Sequence, residues 1–216
     1  AGAPPATNQH LNGGAPMTAE QEIEYASKVL HDMNDFEMAA SLYQAILQRD
    51  DVKTESLNAA IAMCGLLSSA IKSGNKDAIR GLIEHITDEK SPHLAHIKDP
   101  THKLSTIIAE GKLLLSMEDK LKALEGDNGV MKTLEELQTI VKKDNKNIDA
   151  YYSIAVQHLS TGELSKSIDA ALRVVRLDKT WNDAAGKTLL LEIFEMLGND
   201  NALVKDGRRR MTNLLL

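Results

Sequence analysis

From Thr18 onward the sequence repeats one pattern: an apolar run at i, i+3, i+4 spacing, a joint of a few residues, and a second such run. The first run puts Ile23, Ala26, Val29, Leu30 and Met33 on one helical face, and the second does the same with Phe36, Ala39, Ala40, Tyr43, Ile46 and Leu47. Only Asn34-Asp35 separates them. A joint that short turns the chain back on itself, so the two helices lie antiparallel. One such pair cannot cover both of its apolar faces, and the chain must stack several. Thr18 and Gln21 have the Thr-x-x-Gln spacing of a capping box, which fixes the start of the first helix.

The pattern divides the chain into pairs at about 18–49, 53–87, 101–143, 147–177 and 181–215, together one helical repeat domain spanning 18–216. Residues 53–73 and 76–87 turn around Ser73-Gly74-Asn75, and 101–124 and 129–143 around Gly126-Asp127-Asn128-Gly129. Residues 88–100 hold two prolines among polar residues and read as a connecting loop. Residues 1–17, rich in Gly, Ala and Pro, read as a flexible leader or linker. Ala at position 1 is consistent with a processed form or a piece of a longer chain. Aromatic residues make up only 3%, so strand-favouring chemistry is thin and the expected class is all-α.

Several positions fit the tetratricopeptide pattern. Ala26 and Ser27 supply the small residues of a first helix, and Asn34-Asp35-Phe36 stands where that repeat has a Gly-Asp-Tyr turn. Ala39, Tyr43 and Ile46 follow at the small, aromatic and medium positions of a second helix. In a later copy Ala155, the turn Thr161-Gly162-Glu163-Leu164, and Ser167, Ala171 and Val174 take the same places. Turn positions Asn34, Gly74 and Gly162 lie 40 and 88 residues apart, the second gap spanning two repeats, so the copies are longer than the regular repeat of about 34. The expected fold is a tetratricopeptide-like right-handed solenoid of about five antiparallel helix pairs.

A formal net charge of -6 and a pI near 5.7 argue against a nucleic-acid partner, which calls for a basic face with stacking aromatics. No run approaches the roughly eighteen apolar residues of a membrane span, and residues 1–17 lack the basic start and apolar middle of a secretory signal. A single cysteine, Cys64, excludes an internal disulfide framework and suits a reducing compartment. Protein partners are expected.

Candidate chemistry is sparse. Cys64 shares a helical face with Ile61 and Leu67 and reads as a buried structural thiol. His93, His96 and His102 with Asp99 are the nearest approach to a ligand cluster, but the spacing fits no zinc motif and the segment reads as a solvated loop. Gly186-Lys187-Thr188 lacks the earlier glycine of a phosphate-binding loop, since that position is Trp181. Carboxylate pairs such as Glu135-Glu136 and Asp50-Asp51 fall on solvated faces or helix ends. No catalytic residue, metal or cofactor is expected. Arg208, Arg209 and Arg210 suit the carboxyl end of their own helix first, an acidic partner surface next and RNA last.

The last forty residues carry a more specific likeness. Asp178, Lys179, Trp181, Asn182 and Asp183, then Ile193, Phe194, Leu197 and Gly198, then Gly207, Arg208, Arg209, Arg210, Met211, Leu214 and Leu215 follow one family's order. This closely resembles the carboxyl terminus of the thioredoxin-like co-chaperones called YbbN or chaperedoxins, and the likeness extends more weakly back to about Glu20. That family normally begins with a thioredoxin fold, whereas this sequence has no Cys-x-x-Cys and no βαβ pattern, so no redox chemistry is carried over. The resemblance implies a co-chaperone or adaptor whose repeats hold client proteins or dock on a larger chaperone. It implies a chaperonin-docking role for the last helix, here Arg208, Arg209, Arg210, Met211, Leu214, Leu215 and Leu216. The tail is most similar to alphaproteobacterial members, which points to the mitochondrial matrix, with the cytoplasm as the other reducing compartment. The alternative reading is a permanent subunit of a larger assembly.

Overall fold

The computed structural model describes residues 16–99, 101–125 and 129–216. The expected leader (apart from Pro16 and Met17), Pro100 at the end of the expected 88–100 loop, and the Gly126-Asp127-Asn128 joint lie outside the described residues. The fold is all-α. Eleven helices run in order among the described residues: α1 (Ala19–His31), α2 (Phe36–Leu47), α3 (Leu57–Ser73), α4 (Lys76–Thr87), α5 (Leu94–Lys98), α6 (Leu104–Lys122), α7 (Leu134–Lys143), α8 (Ile148–Ser160), α9 (Leu164–Leu177), α10 (Trp181–Leu197) and α11 (Ala202–Leu215). They form two compact units, one ending at Gly111 and the other beginning at Lys112, each with its own core.

In the first unit, α1 opens with the capping box: the Gln21 amide donates to the Thr18 hydroxyl, and the Thr18 amide to the Gln21 side chain. Asn34 takes φ +54° in the joint, a left-handed conformation that Asn tolerates better than most residues. The end of α2 returns to the start of α1, where Arg49 donates to the Met17 carbonyl at 3.1 Å and pairs with Glu22 at 2.9 Å. Asn58 at the head of α3 donates to Glu20 at 2.6 Å, which sets α3 beside α1. The core between them is built from Val29, Leu30, Tyr43 and Ile46. Gly65 matters here. A Cβ added at Gly65 would stand 2.4 Å from the Tyr43 ring, so α3 meets α2 this closely only because that side chain is missing.

The segment expected to be a loop contains α5. Leu94 and Ile97 stand three apart, Ile97 is 5% exposed, and this single turn packs against α3. Pro92 and the polar residues around it hid so short a helix. His93, expected in solvent, is 1% exposed.

In the second unit, α7 starts with a capping box of Thr133 and Glu136, and it packs most closely on the following α8. α8 and α9 form the tightest pair, turning through Gly162 at φ +76°. At their crossing the buried Ser167 hydroxyl donates to the Ala155 carbonyl at 2.8 Å, so its polarity is satisfied. α10 closes on α9 at Gly186, where an added Cβ would meet Val174 at 2.7 Å; this is the close-packing role expected for that glycine. The first turn of α10 departs from a right-handed helix. Asn182, Asp183 and Ala184 have φ of 46°, 53° and 61°. Trp181, beside that turn, leans on Tyr152 with ring centroids 5.3 Å apart. Phe194, fully buried, anchors the core; a side chain of that size contributes about 1.5–3 kcal/mol on burial.

Two glycine replacements separate packing from propensity. Gly65→Ala forces the Tyr43 ring aside and costs roughly 1–3 kcal/mol. Gly81→Ala, in the exposed middle of α4 with nothing within 4 Å, gains about 0.5–1 kcal/mol. Chemical denaturation of the two variants beside the parent measures both signs.

Candidate protein-binding surfaces

The residues singled out on the last helix differ in exposure. Val204, Gly207 and Met211 recur at helical spacing and turn inward, and Leu214 and Leu215 pack half-buried against the same core. Gly207 lets α11 settle on α10, because an added Cβ would lie 2.6 Å from the Phe194 ring. Arg210 reaches across to α9 and pairs with Asp169 at 2.7 Å and with Asp206 at 3.4 Å. Arg209 pairs with Asp206 at 2.7 Å. These arginines hold the Asp206 carboxyl below the usual range, the Arg209 hydrogen bond being the largest cause. Arg208 lies over the Phe194 ring at 5.4 Å, a cation–π contact. The expectation that the arginines serve the carboxyl end of their helix is corrected. The helix runs on to Leu215 and has no basic residue in its last turn, so the three sit mid-helix with carboxylate or aromatic partners. The exposed members of the set are Arg208, Arg209 and the terminal Leu216, which is 99% exposed.

A second surface was not anticipated from sequence. Between α7 and α8 runs a cleft of about 220 Å³. Leu124, Leu137 and Ile140 give it an apolar floor, and Asp149, Ser153 and Gln157 give it a polar side. The buried Gln157 donates its amide N–H to the Lys132 carbonyl at 2.8 Å, and a single bridge joins Glu125 to Met131. These two contacts hold Met131 and Lys132 along the cleft, with Val130 and Met131 exposed beside it. The volume suits one large apolar side chain, and the polar side offers donors and acceptors to the backbone that carries it. The only sequence signal was Gln157, a polar residue on an otherwise apolar stretch of α8.

The remaining candidates are scattered. Cys64 is 1% exposed, and burial pushes its thiol up to about 12, which makes it inert at neutral pH. His93 is buried, whereas the His96 ring meets the Glu55 carbonyl at 3.0 Å, so the expected cluster splits. Among the described residues no three His, Cys, Asp or Glu side chains stand close enough to share a metal ion. Glu136 caps α7, and Asp51 pairs with Arg49 at 2.7 Å. His158, buried in the second unit, has a carboxylate partner in Glu163 at 2.6 Å, and Lys166 pairs with the same side chain. Glu163 is held below its ordinary range by Lys166 first and His158 second. This group stabilises the α8–α9 turn.

The packing role of Gly207 gives a direct check. Gly207→Ala presses on Phe194 and costs roughly 1–3 kcal/mol, while Arg209→Ala, on an exposed pair, changes stability by no more than about 0.5 kcal/mol. Thermal unfolding of the two variants measures the contrast.

Residues 128–216 match the sequence model of the tetratricopeptide repeat family. No curated protein matches the chain.

Proposed function

We propose that the chain is a non-catalytic adaptor or co-chaperone that binds client or partner proteins. The observation that carries this reading is the α7–α8 cleft, an apolar floor with a polar side, whose lining apart from Leu124 falls within the residues that match the tetratricopeptide model. Repeats of this family serve as protein-interaction modules, and a cleft of this size holds an anchoring side chain of an extended or helical segment. The exposed side of α11 with Arg208 and Arg209, and Leu216 just beyond the helix, form a second contact suited to an acidic partner such as a chaperonin surface. The resemblance of the tail to the chaperedoxins supports the co-chaperone form of this reading and a mitochondrial matrix or cytoplasmic setting. None of the described helices is long and apolar enough to cross a membrane.

A permanent structural subunit is the second reading. Val130, Met131, Leu191, Leu203 and Leu216 are exposed apolar residues in the second unit, and a fixed assembly would cover them.

Affinity capture of the tagged chain from its native cells, with mass spectrometry, separates the two. Ser153→Arg lays a long charged side chain across the cleft, and a double variant, Arg208→Glu with Arg209→Glu, reverses the charge of α11. For an adaptor, several partners appear below stoichiometry, and Ser153→Arg reduces their recovery tenfold or more, about 1.4 kcal/mol in affinity. One partner set in fixed ratio, retained by both variants, contradicts the adaptor reading and leaves the structural one.

A further inference from the structure

Two histidines are buried among the described residues, and their surroundings are opposite. His158 faces the Glu163 carboxylate. His93 is 1% exposed, and its Nδ1 atom is buried with no hydrogen-bond partner. A buried polar atom without a partner is uncommon, and here it belongs to the residue from which α5 starts. The His93 carbonyl accepts from the Ile97 amide at 3.1 Å, and Ile97 is the apolar residue by which α5 enters the core of the first unit. The seat of one imidazole therefore fixes the position of the whole turn.

The groups around that ring supply no counter-charge. His85 at the end of α4 stands with its ring centroid 6.2 Å away, and His96 lies on α5 itself. α3, against which α5 packs, carries only Cys64 and Lys72 among its titratable side chains. Asp88, Glu89 and Lys90 are exposed in the preceding loop. Hydrogen bonds from Thr101 first, and then His102 and His96, hold the Asp99 carboxyl below its usual range. Burial first, then the His85 and His96 rings, hold the His93 imidazole below its ordinary range.

We propose that residues 88–99 form an acid-sensitive latch, in which proton uptake by His93 expels the ring from its buried seat and releases α5 from α3. The direction follows from linkage. When the latch is open His93 meets water and titrates near its ordinary value of about 6.5, whereas the closed seat disfavours the proton. The closed form is at full strength above that value and weakens as pH falls through it. His96 does not act in the same way. Its Nε2 faces the Glu55 carbonyl, which only accepts, so that nitrogen carries hydrogen in the neutral ring and can keep donating once the ring is charged. Opening uncovers Ile97 and the α3 surface beneath it.

Amide hydrogen exchange on the full chain at pH 7.5 and pH 5.5, corrected for intrinsic rates, tests this, with α2, which contains no histidine, as the internal reference. The parent loses protection several-fold at the Ile97 amide at the lower pH while α2 is unchanged. His93→Phe, which fills the seat with a ring that cannot ionise, keeps the same protection at both values. Unchanged protection in the parent, or an equal loss in His93→Phe, overturns the latch. Should that variant fold poorly, an NMR titration of the parent decides: the His93 ring and the amides of 94–98 change together. Titration of the ring with no response from those amides overturns the proposal.

Discussion

Helices in this chain approach each other closely at points where one partner has little or no side chain, and the remaining packing follows from those points. Gly65 meets the Tyr43 ring in the first unit; Gly186 meets Val174 and Gly207 meets Phe194 in the second. Alanines extend the same contacts, with Ala26, Ala39, Ala60, Ala155 and Ala171 all 0% exposed. Small residues let large neighbours such as Leu30, Ile46, Leu190 and Phe194 bury completely, because the backbones come near enough to close the space around them. The faces left over, including the α7–α8 cleft and the outer side of α11, lie where they do because these crossings fix each helix.

Where a residue acts through its neighbours in sequence, its role could be read from sequence. The Thr18 capping box, the turn at Asn34 and the turn at Gly162 all rest on spacing within a few residues. Roles that rest on distant partners could not be read that way. Arg210 pairs with Asp169, forty-one residues away, and nothing local marks that bond. His93 looked solvated because its segment is polar, yet α5 carries it inward by means of two apolar residues. The left-handed turn at Asn182–Ala184 had no glycine to announce it. The cleft is built from four separate stretches, so only Gln157, a polar residue in a buried position, hinted at it.

Charge divides unevenly between the units. The first holds nine Lys and Arg against fifteen Asp and Glu; the second holds sixteen of each. The second unit is thus neutral in sum, and long-range attraction contributes little to binding there. Recognition at the cleft depends on shape, apolar contact and hydrogen bonds. A partner drawn by charge has the local Arg208 and Arg209 patch, whose neighbour Asp206 offsets part of it.

Hydrogen-exchange footprinting of the full chain, with and without a captured partner, tests most directly whether the second unit is a protein-binding surface. The account predicts slowed exchange at 131–132 and 149–157, the two sides of the cleft, with the α3 amides unaffected. Exchange unchanged at both stretches while the partner protects other helices would contradict it.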